Sequence, residues 1–231
     1  HGDKEVSKVV IALDPFMDTA EEAKRLGAEL IVTHHPLMFS AKTVNDMTPI
    51  GKTLLYLIEN QIAAIAMHTN LDSAPGGVND CLAEALGLSN CTVLDVEGTD
   101  ACGREYGCGR VGEVCPCTLQ EFLTKVKERL GCHGLRYADA GRPVRKVAVG
   151  GGACASYLEK VAALGCDTFV TSDVKYNGFA DSVDLGVNMI DAGHFSTENP
   201  VCQYLLSQLE SAFPTVTFVI SQDHQDVVRF W

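Results

Sequence analysis

The chain has 231 residues and a mass of 24.8 kDa, and its 46% hydrophobic and 21% charged residues exclude a disordered, collagen-like or low-complexity protein. A net charge of −12 repels phosphate backbones and argues against DNA binding, yet admits a small anionic substrate where a bound metal reverses the local sign. No apolar run reaches the roughly 18–20 residues that span a bilayer, no charged start followed by an apolar stretch suggests a secretory signal, and ten cysteines in a chain too long to need staples point to a reducing cytoplasm.

A β-branched run at 9–13 predicts the first strand, and Asp18 or Thr19 predicts the cap of a helix that Gly27 stops at Leu26. A strand at 30–33 delivers His34-His35-Pro36 at its carboxyl end. A helix over 52–59 precedes a strand over 62–67, which ends in His68-Thr69-Asn70-Leu71-Asp72. A helix over 78–86 stops at Gly87. Gly, Cys and charged residues then dominate 98–117, and Thr118 with Glu121 predicts a capping box for a helix ending at Gly131. The strand–helix alternation resumes at 147–149, and Ser196 to Pro200 reads as a helix start with His194 in the loop before it.

The alternation repeats. A slide of 138 positions aligns residues 8–33 with 146–171 without a gap, with seven of 26 positions identical, and a slide of 126 brings His68 onto His194 and Asp72 onto Glu198. These matches predict an α/β protein of two related βα-rich lobes, a pseudo-duplication. The lobes are residues 1–97 and 143–231, with 98–142 as the connecting segment.

In open α/β sheets, functional groups collect at strand carboxyl ends. Three such ends here carry metal-ligand types: His34 and His35, His68 with Asp72, and His194 with Glu198. Imidazoles mixed with carboxylates suit Zn, Fe, Mn, Co or Ni, and the donors suffice for two divalent ions in a dinuclear site between the lobes. Successive side chains on a strand point apart, so His34 and His35 are expected on different ions. Other features invite weaker readings. Cys102, Cys108, Cys115 and Cys117 are candidates for a zinc knuckle without a paired C-x-x-C. The amides of Gly150-Gly151-Gly152 are candidates for a phosphate cradle, against a plain tight turn. Asp173 and Lys175 are candidates for substrate contact, and Cys154 and Cys202 for core positions.

Three blocks, 31–37, 68–80 and 190–198, together with 171–176, resemble the Ngg-one-interacting-factor-three family, whose bacterial members are commonly called GTP cyclohydrolase 1 type 2 homologs. The resemblance implies a two-lobed α/β protein with a dinuclear metal centre, assembled as a ring-shaped homohexamer. By motif, the ligands carry over to His34, His35, Asp72, His194 and Glu198, which leaves His68 beside them to support the ligands or to transfer protons. The activity implied is that of a hydrolase opening the guanine imidazole ring of GTP, or acting on another nucleotide or phosphate-bearing small molecule. The competing reading is a non-enzymatic hexameric scaffold or a metal-trafficking protein. Two departures stand out: the family's N-terminal arm with its Trp-Asp-Asn segment does not precede the first strand, and the middle segment is too short for the inserted domain of longer members.

Overall fold

The computed structural model describes residues 2–40 and 43–231. The chain divides into two compact units, His1–Leu71 with Cys202–Gln225, and Asp72–Val201 with Asp226–Trp231. The elements begin with β1 (Lys8–Ala12), α1 (Met17–Leu26), β2 (Leu30–Thr33), α2 (Pro49–Glu59), β3 (Ala63–Ala66) and the short α3 (Thr69–Ser73). Next come α4 (Val78–Ala85), two long strands β4 (Ser89–Thr99) and β5 (Glu105–Cys117), α5 (Leu119–Leu130), β6 (Arg136–Ala138) and β7 (Val144–Val149). A 3-10 turn (Ala155–Tyr157) leads into α6 (Leu158–Ala163), β8 (Thr168–Thr171), α7 (Tyr176–Asp184), β9 (Asn188–Asp191), α8 (His194–Glu198), α9 (Pro200–Ala212) and β10 (Thr217–Ile220). The protein is therefore mixed α/β with two sheets.

The first unit holds a four-stranded, all-parallel sheet in the order β10-β1-β2-β3. A parallel strand covered on both faces needs a continuous apolar run, and Val9, Val10 and Ile11 supply it at 2% exposure or less. Helix α1 buries Ala20 and Ala23 against Val10 and Ile31. It begins one residue before the expected cap, at Met17, with Phe16 at the N-cap and no side-chain capping bond. Gly27 ends it as expected, with φ at 69°, a left-handed conformation that glycine adopts without strain.

The second unit holds a six-stranded mixed sheet, β4-β5-β7-β8-β9-β6. Strands β7, β8 and β9 run parallel, and β4, β5 and β6 join antiparallel. Phe122, Val126, Val147 and Ile190 anchor its core on one face, and Phe169, Val161 and Met189 on the other. The capping box on α5 forms as predicted, with Thr118 and Glu121 exchanging side-chain-to-backbone bonds. Cys108, Cys115 and Cys117 all lie along β5, where a rise of about 3.3 Å per residue keeps Cys108 and Cys117 on the order of 25–30 Å apart, so these cysteines cannot form a zinc knuckle.

The two βαβ openings share a corner. In the first unit, the Glu29 carboxylate accepts the amides of Ser7 and Lys8, and Lys8 Nζ donates to the Leu26 carbonyl at 2.8 Å. In the second, the Asp167 carboxylate accepts the amides of Arg145 and Lys146, and Lys146 Nζ donates to the Leu164 carbonyl at 2.6 Å.

Candidate metal centre

Strand β2 ends at Thr33, and the next two residues are the histidine pair. His34 is fully buried, and its Nδ1 lies 2.8 Å from the Met67 carbonyl oxygen. A carbonyl only accepts, so Nδ1 carries the proton and Nε2 is the nitrogen able to ligate a metal. His35 Nδ1 lies 2.7 Å from Asp14 Oδ1, which fixes the same tautomer. His68 sits two residues beyond β3, its ring centroid 5.2 Å from that of His34 and 5.6 Å from that of His35. Each of the three imidazoles offers a ligand nitrogen, all within 4.8 Å of one another, so the group could hold a metal ion.

Asp14 is the hinge of this arrangement. Its second oxygen is 3.0 Å from His224 Nε2, and His224 Nδ1 is 3.2 Å from Asp18. Burial alone would raise the Asp14 pKa, but the hydrogen bonds to His224 and His35 outweigh it and hold the carboxyl far below the usual range. Burial likewise opposes a charge on His224, and the bonds to Asp14 and Asp18 override it and raise its pKa. Both ring nitrogens of His224 face carboxylates, Asp14 and Asp18, that stand outside the predicted ligand set, so this imidazole supports Asp14. Sequence reasoning passed over Asp14 and His224 and gave Asp18 only as a helix cap. The signal available was an aspartate just past a strand end, and only the pairing of β10 beside β1 brings His224 to it.

In the second unit, α8 is a single turn that starts at His194 and ends at Glu198, two residues earlier than expected. His194 therefore belongs to the helix and not to the loop before it. Positions i and i+4 face the same way on a helix, and His194 Nε2 lies 3.0 Å from Glu198 Oε2. The other nitrogen, Nδ1, lies 2.7 Å from Asp173, whose backbone adopts φ 54°, rare for a residue other than glycine. Glu198 is buried at 4% exposure. Its hydrogen bond to His194, with Asp173 adding to it, pushes the His194 pKa up to about 9 against the opposing effect of burial. The Asp191 carboxylate sets the approach to α8 by accepting the Gly193 and Val174 amides. Asp72 lies in α3, where its backbone carbonyl accepts from Asn79 Nδ2 at 3.0 Å.

The Gly150-Gly151-Gly152 turn is a support for this carboxylate. Gly150 donates to the Val170 carbonyl, Gly151 to Asn79 Oδ1 and Gly152 to Thr197 Oγ1. With all three amides engaged, the turn is no phosphate cradle. Gly152 has φ at +66°, and a Cβ there would stand 2.1 Å from Glu198 Oε1, so any larger residue is strained at this position and has to displace the Glu198 carboxylate. Lys175 is the N-cap residue of α7. Cys202 is core, as expected, and Cys154, at the end of the glycine turn, is half-buried and packs against the core around Phe169.

The donor set suits a divalent transition metal. His34, His35 and His194 each give one ring nitrogen to an acceptor, a backbone carbonyl or a carboxylate, which is how metal-binding histidines are oriented and their other nitrogens made more basic. Among the described residues, no helix is long and apolar enough to cross a membrane.

The family model for Duf34/NIF3 (NGG1p interacting factor 3) matches residues 1–226. A Clostridium perfringens protein named GTP cyclohydrolase 1 type 2 homolog is 35% identical over 232 residues, covering 99% of this chain and 87% of its own. A Streptomyces coelicolor protein of the same name is 40% identical over 214 residues, covering 90% and 75%. The crystal structure of a Bacillus cereus protein related to NIF3 superposes with a TM-score of 0.93 at 28% identity, covering 99% of this chain and 90% of that one.

Proposed function

The chain belongs to the Duf34/NIF3 (NGG1p interacting factor 3) family, and on that premise we propose that it is a metal-dependent hydrolase holding two divalent transition-metal ions on His34, His35, Asp72, His194 and Glu198. The observation that carries the reading is the orientation of the histidines. Each Nδ1 of His34, His35 and His194 faces an acceptor, which makes Nε2 the ligating nitrogen of each ring, and for His194 that nitrogen lies beside Glu198, itself a member of the proposed ligand set. Bound divalent ions supply Lewis acidity, which polarises an electrophile and makes water a nucleophile near neutral pH. The chain's own residues do the rest. Asp14 and Asp173 hold the ligand rings, Glu198 offers a buried carboxylate backed by the glycine turn, and His68 is the acid–base group beside them.

The relatives' name points to a guanine nucleotide, and we extend that class to this chain: GTP or another phosphate-bearing nucleotide. Two divalent cations outweigh the two ligand carboxylates, so the site draws a phosphate in spite of the protein's negative charge. The matched corners at Glu29 and Asp167 support a duplicated origin for the two halves of the ligand set.

The test combines metal content with turnover. Protein reconstituted with Zn, Mn, Fe, Co or Ni should retain about two ions per chain, and His34→Ala or His194→Ala should lower that count while Cys115→Ala leaves it unchanged. His68→Ala should keep both ions and slow nucleotide turnover by roughly 10²–10⁴-fold, the span of a lost acid–base group. Wild-type protein that binds no metal after reconstitution sinks the proposal.

A further inference from the structure

Cys108 and Cys154 meet away from any role in the proposed metal set. Cys108 lies on β5 between Gly107 and Gly109, both at positive φ, where the strand departs from regular geometry. Cys154 closes the glycine turn after β7, its amide donating to Thr171 Oγ1 and its thiol to the Gly151 carbonyl. The two Sγ atoms are 3.8 Å apart, both residues are half-buried, and both are free thiols. A disulfide requires about 2.05 Å between sulfurs. The sulfurs must therefore approach by a little under 2 Å, a movement that rotation of the two side chains and the glycines flanking Cys108 would have to supply.

We propose that Cys108 and Cys154 are a redox-active dithiol, a modification site that closes to an intramolecular disulfide when hydrogen peroxide oxidises it. In the first step the Cys108 sulfur attacks one peroxide oxygen. The O–O bond breaks, the sulfur becomes a sulfenic acid, and the departing hydroxide leaves as water after taking up a proton. In the second step the Cys154 sulfur attacks that sulfenic sulfur, the S–S bond forms, the S–O bond breaks, and a second water leaves. Two thiols and one peroxide give one disulfide and two waters.

The order of attack follows from local chemistry. The Cys154 sulfur beside it and a further bond from Tyr157 lower the pKa of Cys108. Cys154 is correspondingly raised by its bond to Cys108 and by burial. Burial also raises Cys81 and Cys166, each to about 11, so those thiols are poorer peroxide targets than Cys108. A low-pKa thiol beside a resolving cysteine is the arrangement that redox-sensing pairs use.

The experiment treats the full-length chain with one equivalent of hydrogen peroxide, blocks remaining thiols with iodoacetamide under denaturing conditions, and maps peptides without reduction. A linked Cys108–Cys154 peptide should appear, with two fewer alkylated thiols per chain, and dithiothreitol should restore both. In Cys154→Ser the reaction should stop at a Cys108 sulfenic acid that dimedone captures. If Cys154→Ser does not fold, the wild-type map alone decides. A map in which Cys108 and Cys154 stay alkylated while other cysteines react overturns the proposal, as does a link to any other cysteine in their place. Metal content does not enter this readout, so it stands or falls apart from the hydrolase reading.

Discussion

Asp14 shows how one buried carboxylate can serve two imidazoles. It accepts from His35 on one oxygen and bonds His224 on the other, so its removal should release the His35 ring without disturbing the ring's own place on the chain. Asp14→Ala is expected to lower metal affinity about 10–100-fold, the usual effect of deleting a carboxylate behind a ligand histidine. Competition against a chromophoric chelator, with circular dichroism confirming the fold, measures it. An affinity equal to wild type would show that Asp14 does not orient His35. The same network makes stability depend on pH. The folded pKa of His224 lies above its ordinary 6.5, so its contribution is complete below 6.5 and disappears as pH rises through the folded value. Asp14 is lowered from 3.8, so its contribution is complete above 3.8 and is lost as pH falls. Between those limits both are present. The groups facing His224 are Asp14, Asp18 and the edge of the Phe16 ring. Metal-free wild type should therefore lose melting temperature between pH 6 and 9, and His224→Asn should melt lower at pH 6 with a flatter profile over that range. Parallel profiles would remove His224 as the source.

At the scale of the element, helix α8 is one turn long and cannot be stable by its own hydrogen bonds. It is held from outside. Thr197 Oγ1 accepts the Gly152 amide, and Asp191 anchors the residue before His194. The glycine turn and the helix are therefore one mechanical piece, and Gly152 is its tightest point. Gly152→Ala is expected to displace Glu198, cutting metal stoichiometry, at a folding cost of about 1–3 kcal/mol from strain at a left-handed position. Metal analysis beside denaturant unfolding tests this. A folded variant with full metal content would mean that Glu198 is not held by the turn.

For the whole molecule, family membership carries an expectation of assembly. The ring-shaped homohexamer implied by the resemblance should give a light-scattering mass near six subunits at micromolar concentration, and a stable monomer would show that this assembly does not extend to the chain. Two sheets of different construction make up the fold, one wholly parallel and one mixed. Long-range parallel pairing of this kind forms only after large loops close. β10 illustrates the point, since it follows every other strand in the chain and yet pairs with β1, the first.

The sequence by itself determined what depends on neighbours a few residues apart. The apolar runs placed β1, β2 and β7. Gly27 and Gly131 stopped their helices, and the Thr118–Glu121 capping box could be read directly. It also put His34, His35, His68 and His194 just past strand ends, because a buried strand has to change character where it leaves the sheet. The tertiary structure decided everything that needs a partner from far along the chain. His224 reaches Asp14 across 210 positions because β10 pairs with β1, and Asp173 reaches His194 because β8 pairs with β9. The glycine turn could be read locally as either a phosphate cradle or a tight turn. Its amides were committed only when Asn79 and Thr197 arrived to accept them. Local pattern fixes where a side chain leaves the backbone, whereas strand pairing fixes what it meets, and the tautomer of each histidine depends on what it meets.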